Sequence, residues 1–120
     1  MDASKRLLVV EDEKVVRDGL RSEISTWGYH VDALADGQDL LQNYVPGEYD
    51  AVLMDTQMER SVGYEVCAEL RKLDSKIIII GMSSDKAYHL AWMDAGATHF
   101  LPKARLHCDL QKVLQQYLNK

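Results

Sequence analysis

The sequence predicts an α/β fold with a doubly wound, five-stranded parallel sheet. Short runs of β-branched and apolar residues alternate with segments whose apolar residues recur at helical spacing. Each change from one pattern to the other is marked by Gly, Pro, Asp or Ser. Since 120 residues fit one domain, the alternation indicates consecutive β–α units with helices on both faces of the sheet.

Five apolar runs predict the strands, at residues 7–11, 29–34, 51–55, 76–82 and 98–101. The fourth run, KIIIIGM, is almost continuous in Ile, which is typical of a strand covered on both faces. We therefore expect the fourth strand near the middle of the sheet.

Helical spacing of apolar residues follows each run, at residues 16–27, 37–44, 66–73, 85–95 and 106–117. Gly28 and Gly96 stand where the first and fourth helices should stop, and Pro46 with Gly47 ends the second. Each predicted strand is thus followed by one helix.

Composition excludes several classes of protein. The formal net charge of −5 argues against direct binding to nucleic acid. No apolar run reaches the length of a membrane span, and the N-terminus does not fit a signal peptide, so we expect a cytoplasmic protein without membrane contact. Cys67 and Cys108 lack metal-ligand spacing and are expected to be free, mostly buried thiols.

Polar side chains end or follow four of the predicted strands. In a doubly wound sheet, sites form outside the carboxyl ends of the strands, so these residues should share one edge. They are Glu11, Asp12, Asp55, Ser83, Ser84 and Lys103.

Taken singly, these residues have simpler interpretations. Asp12 could cap the first helix, Ser83 or Ser84 could cap the fourth, and Lys103 could be solvated. Taken together, the clustered carboxylates should repel one another unless a cation intervenes, and Mg²⁺ prefers such oxygen ligands. Asp55 could then act as a nucleophile in phosphoryl transfer, with Lys103 and Ser83 contacting the phosphoryl group.

The chain resembles a response regulator receiver domain over nearly its whole length. The matching pieces are VVEDE with Glu11 and Asp12, VLMDTQM with Asp55, and GATHFLPK ending at Lys103. Ser83 and Phe100 fall at the hydroxyl and aromatic switch positions of the family. Gly63, eight residues after Asp55, also matches.

The resemblance implies a single receiver domain over residues 1–120, with a flavodoxin-like core at about 6–118. Asp55 would accept a phosphoryl group from a sensor histidine kinase or histidine phosphotransfer protein. Mg²⁺ would bind Glu11, Asp12, Asp55 and the backbone carbonyl of Gln57. The phosphorylated domain, a monomer or weak dimer, would change its affinity for a downstream protein target.

Four features depart from the family pattern. Glu59 replaces a usual proline, which should loosen the loop after Asp55 and add negative charge near the site. Ala104 replaces another, so the cis peptide expected after Lys103 becomes doubtful and Lys103 could point elsewhere. The segment between Ser84 and Gly96 is about two residues short, and Ser83 stands for the commoner threonine.

The fourth predicted helix has two faces. Tyr88, Ala91, Trp92 and Ala95 share an arc that should face the core. His89 and Met93 lie on the other side, which is either an ordinary solvated face or, with Phe100, a surface for a protein partner. His30, His99 and His107 show no ligand spacing, so no transition-metal site is expected.

Two other functions remain open. A pseudo-receiver would keep the fold as a scaffold for protein partners without taking phosphate, and Glu59 and Ala104 favour it. A Mg²⁺-dependent phosphatase would use Asp55 as nucleophile. Such an enzyme needs a general acid/base carboxylate two residues later, and that position is occupied by Gln57, which has no carboxylate. The leading interpretation is a signalling phosphoacceptor that is not an enzyme. Its own activity would be limited to self-phosphorylation from small donors and slow loss of the phosphoryl group.

Overall fold

The computed structural model describes residues 4–119, which form five strands and five α-helices. The strands are β1 (Arg6–Val10), β2 (His30–Leu34), β3 (Ala51–Asp55), β4 (Ile78–Ser83) and β5 (His99–Pro102). The helices are α1 (Lys14–Ser25), α2 (Gly37–Asn43), α3 (Gly63–Leu73), α4 (His89–Asp94) and α5 (Leu106–Leu118). Two 3₁₀ turns, Lys86–Tyr88 and Lys103–Arg105, precede α4 and α5.

All five strands are parallel and lie in the order β2-β1-β3-β4-β5, which confirms the predicted fold class. β3 is the central strand, and every residue in it is buried. β4 lies beside it, between β3 and β5. The carboxyl ends of β1 and β3 therefore meet at the middle of one edge of the sheet.

Side chains alternate between the two faces of the sheet, because successive residues of a strand point to opposite sides. Leu7, Val9 and Leu53 pack with α1 and α5, whereas Leu8, Val10 and Val52 pack with α2, α3 and α4. The sheet is thus covered on both faces by apolar helix surfaces. Within residues 4–119, no helix is both long and apolar enough to cross a membrane.

The β4 strand starts and ends later than predicted. The backbone N–H groups of Lys76 and Ile77 donate to the Asp74 carboxylate, so this pair forms a turn and not the first rung of the strand. At the other end β4 includes Ser83, which pairs with Pro102 of β5.

The fourth helix is shorter than the predicted 85–95. Only two residues separate β4 from the 3₁₀ turn Lys86–Tyr88, and α4 itself has six residues. The Asp85 carboxylate accepts from the Ala87 N–H and so caps the tighter turn. Of the arc expected to face the core, only Trp92 is fully buried; Tyr88, Ala91 and Ala95 are half-buried.

Both cysteines are free thiols, as expected. The expected burial is confirmed for Cys67 and wrong for Cys108. Cys67 is buried in α3 and packs with the core on that face, whereas Cys108 is exposed near the start of α5. The apolar stripe of α5 is carried by Leu110, Val113 and Leu114, which leaves Cys108 on its outer side.

Trp92 fits against the sheet because two glycines lie beside its ring. A Cβ placed on Gly81 of β4 would lie 2.2 Å from a ring carbon of Trp92. A Cβ on Gly63 would meet the same ring at 2.6 Å and the Asp55 carbonyl oxygen at 2.0 Å. Any larger side chain at Gly63 would therefore push α3 away from the end of β3.

Candidate functional site

Asp55 is the last residue of β3 and is 7% exposed. Its Oδ1 accepts a hydrogen bond of 2.9 Å from the Thr56 backbone N–H. The Lys103 Nζ lies 3.2 Å from the same oxygen. Both contacts of the carboxylate fall on Oδ1, which leaves Oδ2 as the oxygen available to a ligand.

Glu11 follows β1 and is fully buried. Its Oε1 accepts from Lys103 Nζ at 3.0 Å, and its Oε2 accepts from the Glu13 N–H at 3.2 Å. Burial raises the pKa of Glu11, and the nearby charge of Asp55 raises it further, against the opposing effect of Lys103. A cation in addition to Lys103 would therefore stabilise the ionised form of Glu11.

Lys103 points into the site although Ala104 follows it. Burial disfavours the ammonium, but the Glu11 hydrogen bond and the charges of Asp55 and Glu11 outweigh burial and raise the pKa of Lys103. The described residues contain no cis peptide bond, so the bond between Lys103 and Ala104 is trans. The expectation that Lys103 could point elsewhere is therefore wrong.

Asp12 completes a group of three carboxylates. Ligand oxygens of Glu11, Asp12 and Asp55 all lie within 4.8 Å of one another. Asp12 does not cap the first helix, because the residue at that position is Glu13 and no side chain caps α1. Arg17 Nη1 donates to the backbone carbonyls of Glu11 and Asp12, at 2.9 and 3.2 Å, and holds this turn in place.

Ser83 lies at the end of β4 and is 4% exposed. Its Oγ accepts from the Asp85 N–H at 3.0 Å, so it does serve as a local cap. Its own hydroxyl proton remains available to a ligand. Ser84, by contrast, is exposed.

All of these residues except the fully buried Glu11 line one small, mostly polar cavity of about 250 Å³. The cavity is lined by Asp12, Glu13, Asp55, Gln57, Ser83, Ser84 and Lys103. Its size suits a hydrated cation with a phosphoryl-sized anion. The site residues predicted along the sequence therefore do meet in space.

The loop after Asp55 places two predicted residues differently. Gln57 lines the cavity, and its side-chain amide donates to the Tyr88 hydroxyl at 3.0 Å. Glu59 lines a separate groove between α2 and α3, where the cavity volume is about 590 Å³. The extra negative charge expected near the site therefore does not line the Asp55 cavity.

The sequence did not point to the contact between Thr56 and Trp92. The buried Thr56 hydroxyl donates to the Met82 carbonyl at 2.7 Å and accepts from the Trp92 indole N–H at 2.8 Å. Trp92 was expected in the core, but nothing in its spacing indicated a partner 36 residues away. This contact joins α4 to the residue directly after Asp55.

The three residues of the expected partner surface differ in exposure. His89 and Met93 are exposed, Met93 to 39%, whereas Phe100 is only 6% exposed. The His89 ring stacks on Phe100 with ring centroids 5.2 Å apart. In this conformation Phe100 lies beneath His89 and contributes little to the surface.

The residues present fit a divalent cation. Among residues 4–119, the group Glu11, Asp12 and Asp55 is the only cluster of His, Cys, Asp or Glu with its ligand atoms close enough to hold a metal. Three carboxylates without sulfur or imidazole suit Mg²⁺ better than zinc or copper. Within the same residues, no such group includes His30, His99 or His107.

Comparison with known proteins adds a family match. The family model described as the response regulator receiver domain matches residues 7–115. The chain is 38% identical over 100 residues to the response regulator MprA of Mycolicibacterium vanbaalenii, a match that covers 82% of this chain and 43% of that protein. MprA of Mycobacterium ulcerans is 37% identical over 102 residues, covering 83% and 44%. The chain thus spans less than half the length of these relatives.

Solved structures agree with this match. The response regulator TrrA of Thermotoga maritima, in complex with Mg²⁺ and BeF, superposes with a TM-score of 0.87 and 30% identity, covering 95% of this chain and 99% of that chain. The receiver domain of a sensor histidine kinase from Pseudomonas aeruginosa has a TM-score of 0.85 and 26% identity, covering 98% and 100%. That structure holds a magnesium ion in its active-site cleft.

Proposed function

Because the chain belongs to the response regulator receiver domain family, we propose that it accepts a phosphoryl group on Asp55 and thereby signals to another protein. The observation that carries the proposal is the environment of Asp55, a nearly buried carboxylate that shares one lysine with Glu11 and lies close to the carboxylates of Glu11 and Asp12. The donor would be a sensor histidine kinase or a histidine phosphotransfer protein.

The chemistry divides among the residues of the cavity. Asp55 Oδ2 would attack phosphorus, forming an O–P bond as the N–P bond of the donor phosphohistidine breaks and the electron pair returns to the imidazole. Lys103, held by Glu11, would neutralise charge on the transferred group, and Ser83 would donate a hydrogen bond to it.

The proposed metal ligands are Glu11, Asp12, Asp55 and the backbone carbonyl of Gln57. Mg²⁺ bound there would supply positive charge that offsets the repulsion between the carboxylates and the incoming phosphoryl oxygens. The close approach of the three carboxylates and the raised pKa of Glu11 support this assignment.

We further propose that the signal passes to the surface formed by His89 and Met93. If Ser83 moves toward a phosphoryl group, its bond to the Asp85 N–H breaks, and the start of the short segment that leads to α4 is released. Phe100 is covered by His89, the first residue of α4 after this segment, so both rings can respond. Two packings close in free energy, biased by phosphorylation, would then differ in affinity for a downstream protein target.

The alternatives are less well supported. The pseudo-receiver hypothesis rested on Glu59 and Ala104, yet Glu59 lies outside the cavity and Lys103 contacts both acidic partners. The phosphatase hypothesis needs an acid at Gln57, whose amide instead donates to Tyr88. Receiver domains are signalling domains, and any activity of this one would be limited to self-phosphorylation and slow dephosphorylation.

Beryllofluoride with Mg²⁺, followed by NMR, tests the proposal and its switch together. We expect shift changes around Asp55 and at Phe100 and Met93 in the wild type. Ser83→Ala should keep the changes around Asp55 and lose most of those at Phe100 and Met93, since the hydroxyl links the two regions. Equal shift changes at Phe100 in the wild type and in Ser83→Ala would contradict the switch. No shift change in the wild type would favour the pseudo-receiver scaffold. In a separate assay, turnover of phosphomonoesters would favour a phosphatase.

A further inference from the structure

Asp36 is a buried carboxylate that the proposed chemistry does not use. It lies between β2 and α2 and is 3% exposed. Its Oδ1 accepts from the Gln38 N–H at 3.0 Å and from the Ser61 hydroxyl at 2.7 Å, and its Oδ2 accepts from the Arg60 N–H at 2.9 Å. Only the first of these bonds serves the helix cap; the other two reach a loop 24 and 25 residues away.

That loop begins at the candidate metal ligand. Gln57 and Val62 form an antiparallel bridge, and the Met58 N–H donates to the Ser61 carbonyl at 3.1 Å, so residues 57–62 make a tight hairpin-like turn. Gln57 stands at the base of this turn and lines the Asp55 cavity. The direction of its carbonyl therefore depends on where the opposite arm of the turn is held.

The opposite arm is held by Asp36. The loop contains no proline to restrict its backbone. Burial disfavours the charged form of Asp36, but hydrogen bonds from Gln38, Arg60 and Ser61 outweigh burial and lower its pKa. Asp36 is thus an ionised acceptor at neutral pH, and hydrogen bonds to an ionised acceptor are stronger than neutral ones.

We propose that Asp36 is a positioning residue for the phosphorylation site, fixing residues 57–62 so that the Gln57 carbonyl faces the three carboxylates. The inference rests on the proposed function, because it assumes that this carbonyl binds the metal. Asp36 does not line the Asp55 cavity and is not one of the three clustered carboxylates, so it would act through the loop alone. Outer partners that orient metal ligands commonly change metal affinity ten- to a hundredfold when they are removed.

Asp74 provides a matched control. It is also a partly buried carboxylate with several donors, since it accepts from the Lys76 and Ile77 N–H groups at 2.9 and 3.2 Å and from the Tyr44 hydroxyl at 2.5 Å. It stabilises the turn before β4, at the edge of the sheet opposite to Asp55. Its loss should lower stability without altering the loop after Asp55.

The test is a Mg²⁺ titration of the whole chain, followed by NMR and calorimetry, in Asp36→Ala, Asp36→Asn, Ser61→Ala and Asp74→Asn. We expect Asp36→Ala to raise the Kd for Mg²⁺ about tenfold and to shift the Gln57 amide resonance without metal. Asp36→Asn, which keeps one acceptor oxygen, and Ser61→Ala should have smaller effects in the same direction. Asp74→Asn should lower the melting temperature and leave the Kd within twofold.

Asp12→Asn distinguishes the two ways in which this account can fail. If Asp12→Asn weakens Mg²⁺ binding and the Asp36 variants bind like the wild type, Asp36 is not a positioning residue and the metal site stands. If Asp12→Asn has no effect either, the metal assignment itself is wrong. Should Asp36→Ala not fold, Asp36→Asn and Ser61→Ala decide the matter, and a wild-type Kd in both would overturn the proposal.

Discussion

The two sides of Asp55 are held in different ways. On one side, which we call the charged side, Lys103 bridges Asp55 and the buried Glu11 at 3.2 and 3.0 Å. On the other, the packed side, Thr56 and the indole of Trp92 join β3 to α4 through a hydrogen bond surrounded by apolar residues. The charged side can respond to an added anion or cation, whereas the packed side keeps the helix registered to the strand. The difference suggests that ligand binding and signal transmission can be disturbed separately.

Lys103→Met should have the largest effect, because it leaves Glu11 and Asp55 without their shared cation. We expect the free energy of unfolding, measured in urea without Mg²⁺, to fall by about 2 kcal/mol. Lys72→Met is the control, since Lys72 and Glu69 form a pair at 3.0 Å with side chains 73% and 57% exposed, and such pairs contribute little. An equal loss of unfolding free energy in Lys103→Met and Lys72→Met would show that the Lys103 contacts stabilise the fold no more than an exposed ion pair does.

Trp92→Phe tests the packed side. The change removes the N–H that donates to Thr56 and leaves a small void beside Gly81, and should cost about 1–2 kcal/mol. Trp27→Phe, at a half-buried position on the other face of the sheet, serves as control. Trp92→Phe should also weaken the response of α4 to beryllofluoride while Mg²⁺ affinity stays unchanged. A large change in Mg²⁺ affinity would break the separation between the two sides.

Asp55→Asn should have the smallest effect on stability and the opposite sign. It removes one of three neighbouring carboxylates, while the amide oxygen can still accept from Thr56 and Lys103. In thermal unfolding without Mg²⁺, we expect the free energy of unfolding to rise by up to about 1 kcal/mol. A lower melting temperature than that of the wild type would mean that the Lys103 contact outweighs the repulsion.

The charged side could be predicted from sequence and the packed side could not, for a physical reason. Asp55 ends an apolar strand, and Glu11 and Lys103 each come directly after one. Parallel strands bring such residues to one edge. Trp92 meets Thr56 only because Gly63 and Gly81 leave space for its ring. That space depends on three-dimensional packing across four elements, which no local pattern reveals.

Boundaries show the same distinction. The five strands and their parallel arrangement could be predicted from alternating patterns. The start of β4 instead depends on the Asp74 turn, and the short α4 on the Asp85 cap. Asp36 was not among the residues selected from the sequence, although an Asp directly before a helix is a common cap. Its bonds to Arg60 and Ser61 could not be predicted, because they join segments distant in sequence.

The most direct measurement is the location of a phosphoryl group after incubation with acetyl phosphate and Mg²⁺, determined by mass spectrometry of the intact chain and its peptides. The account predicts a single Mg²⁺-dependent adduct on the peptide that contains Asp55, absent from Asp55→Asn and reduced in Asp12→Asn. An adduct that persists in Asp55→Asn, or a wild-type chain that stays unmodified under these conditions, would contradict it.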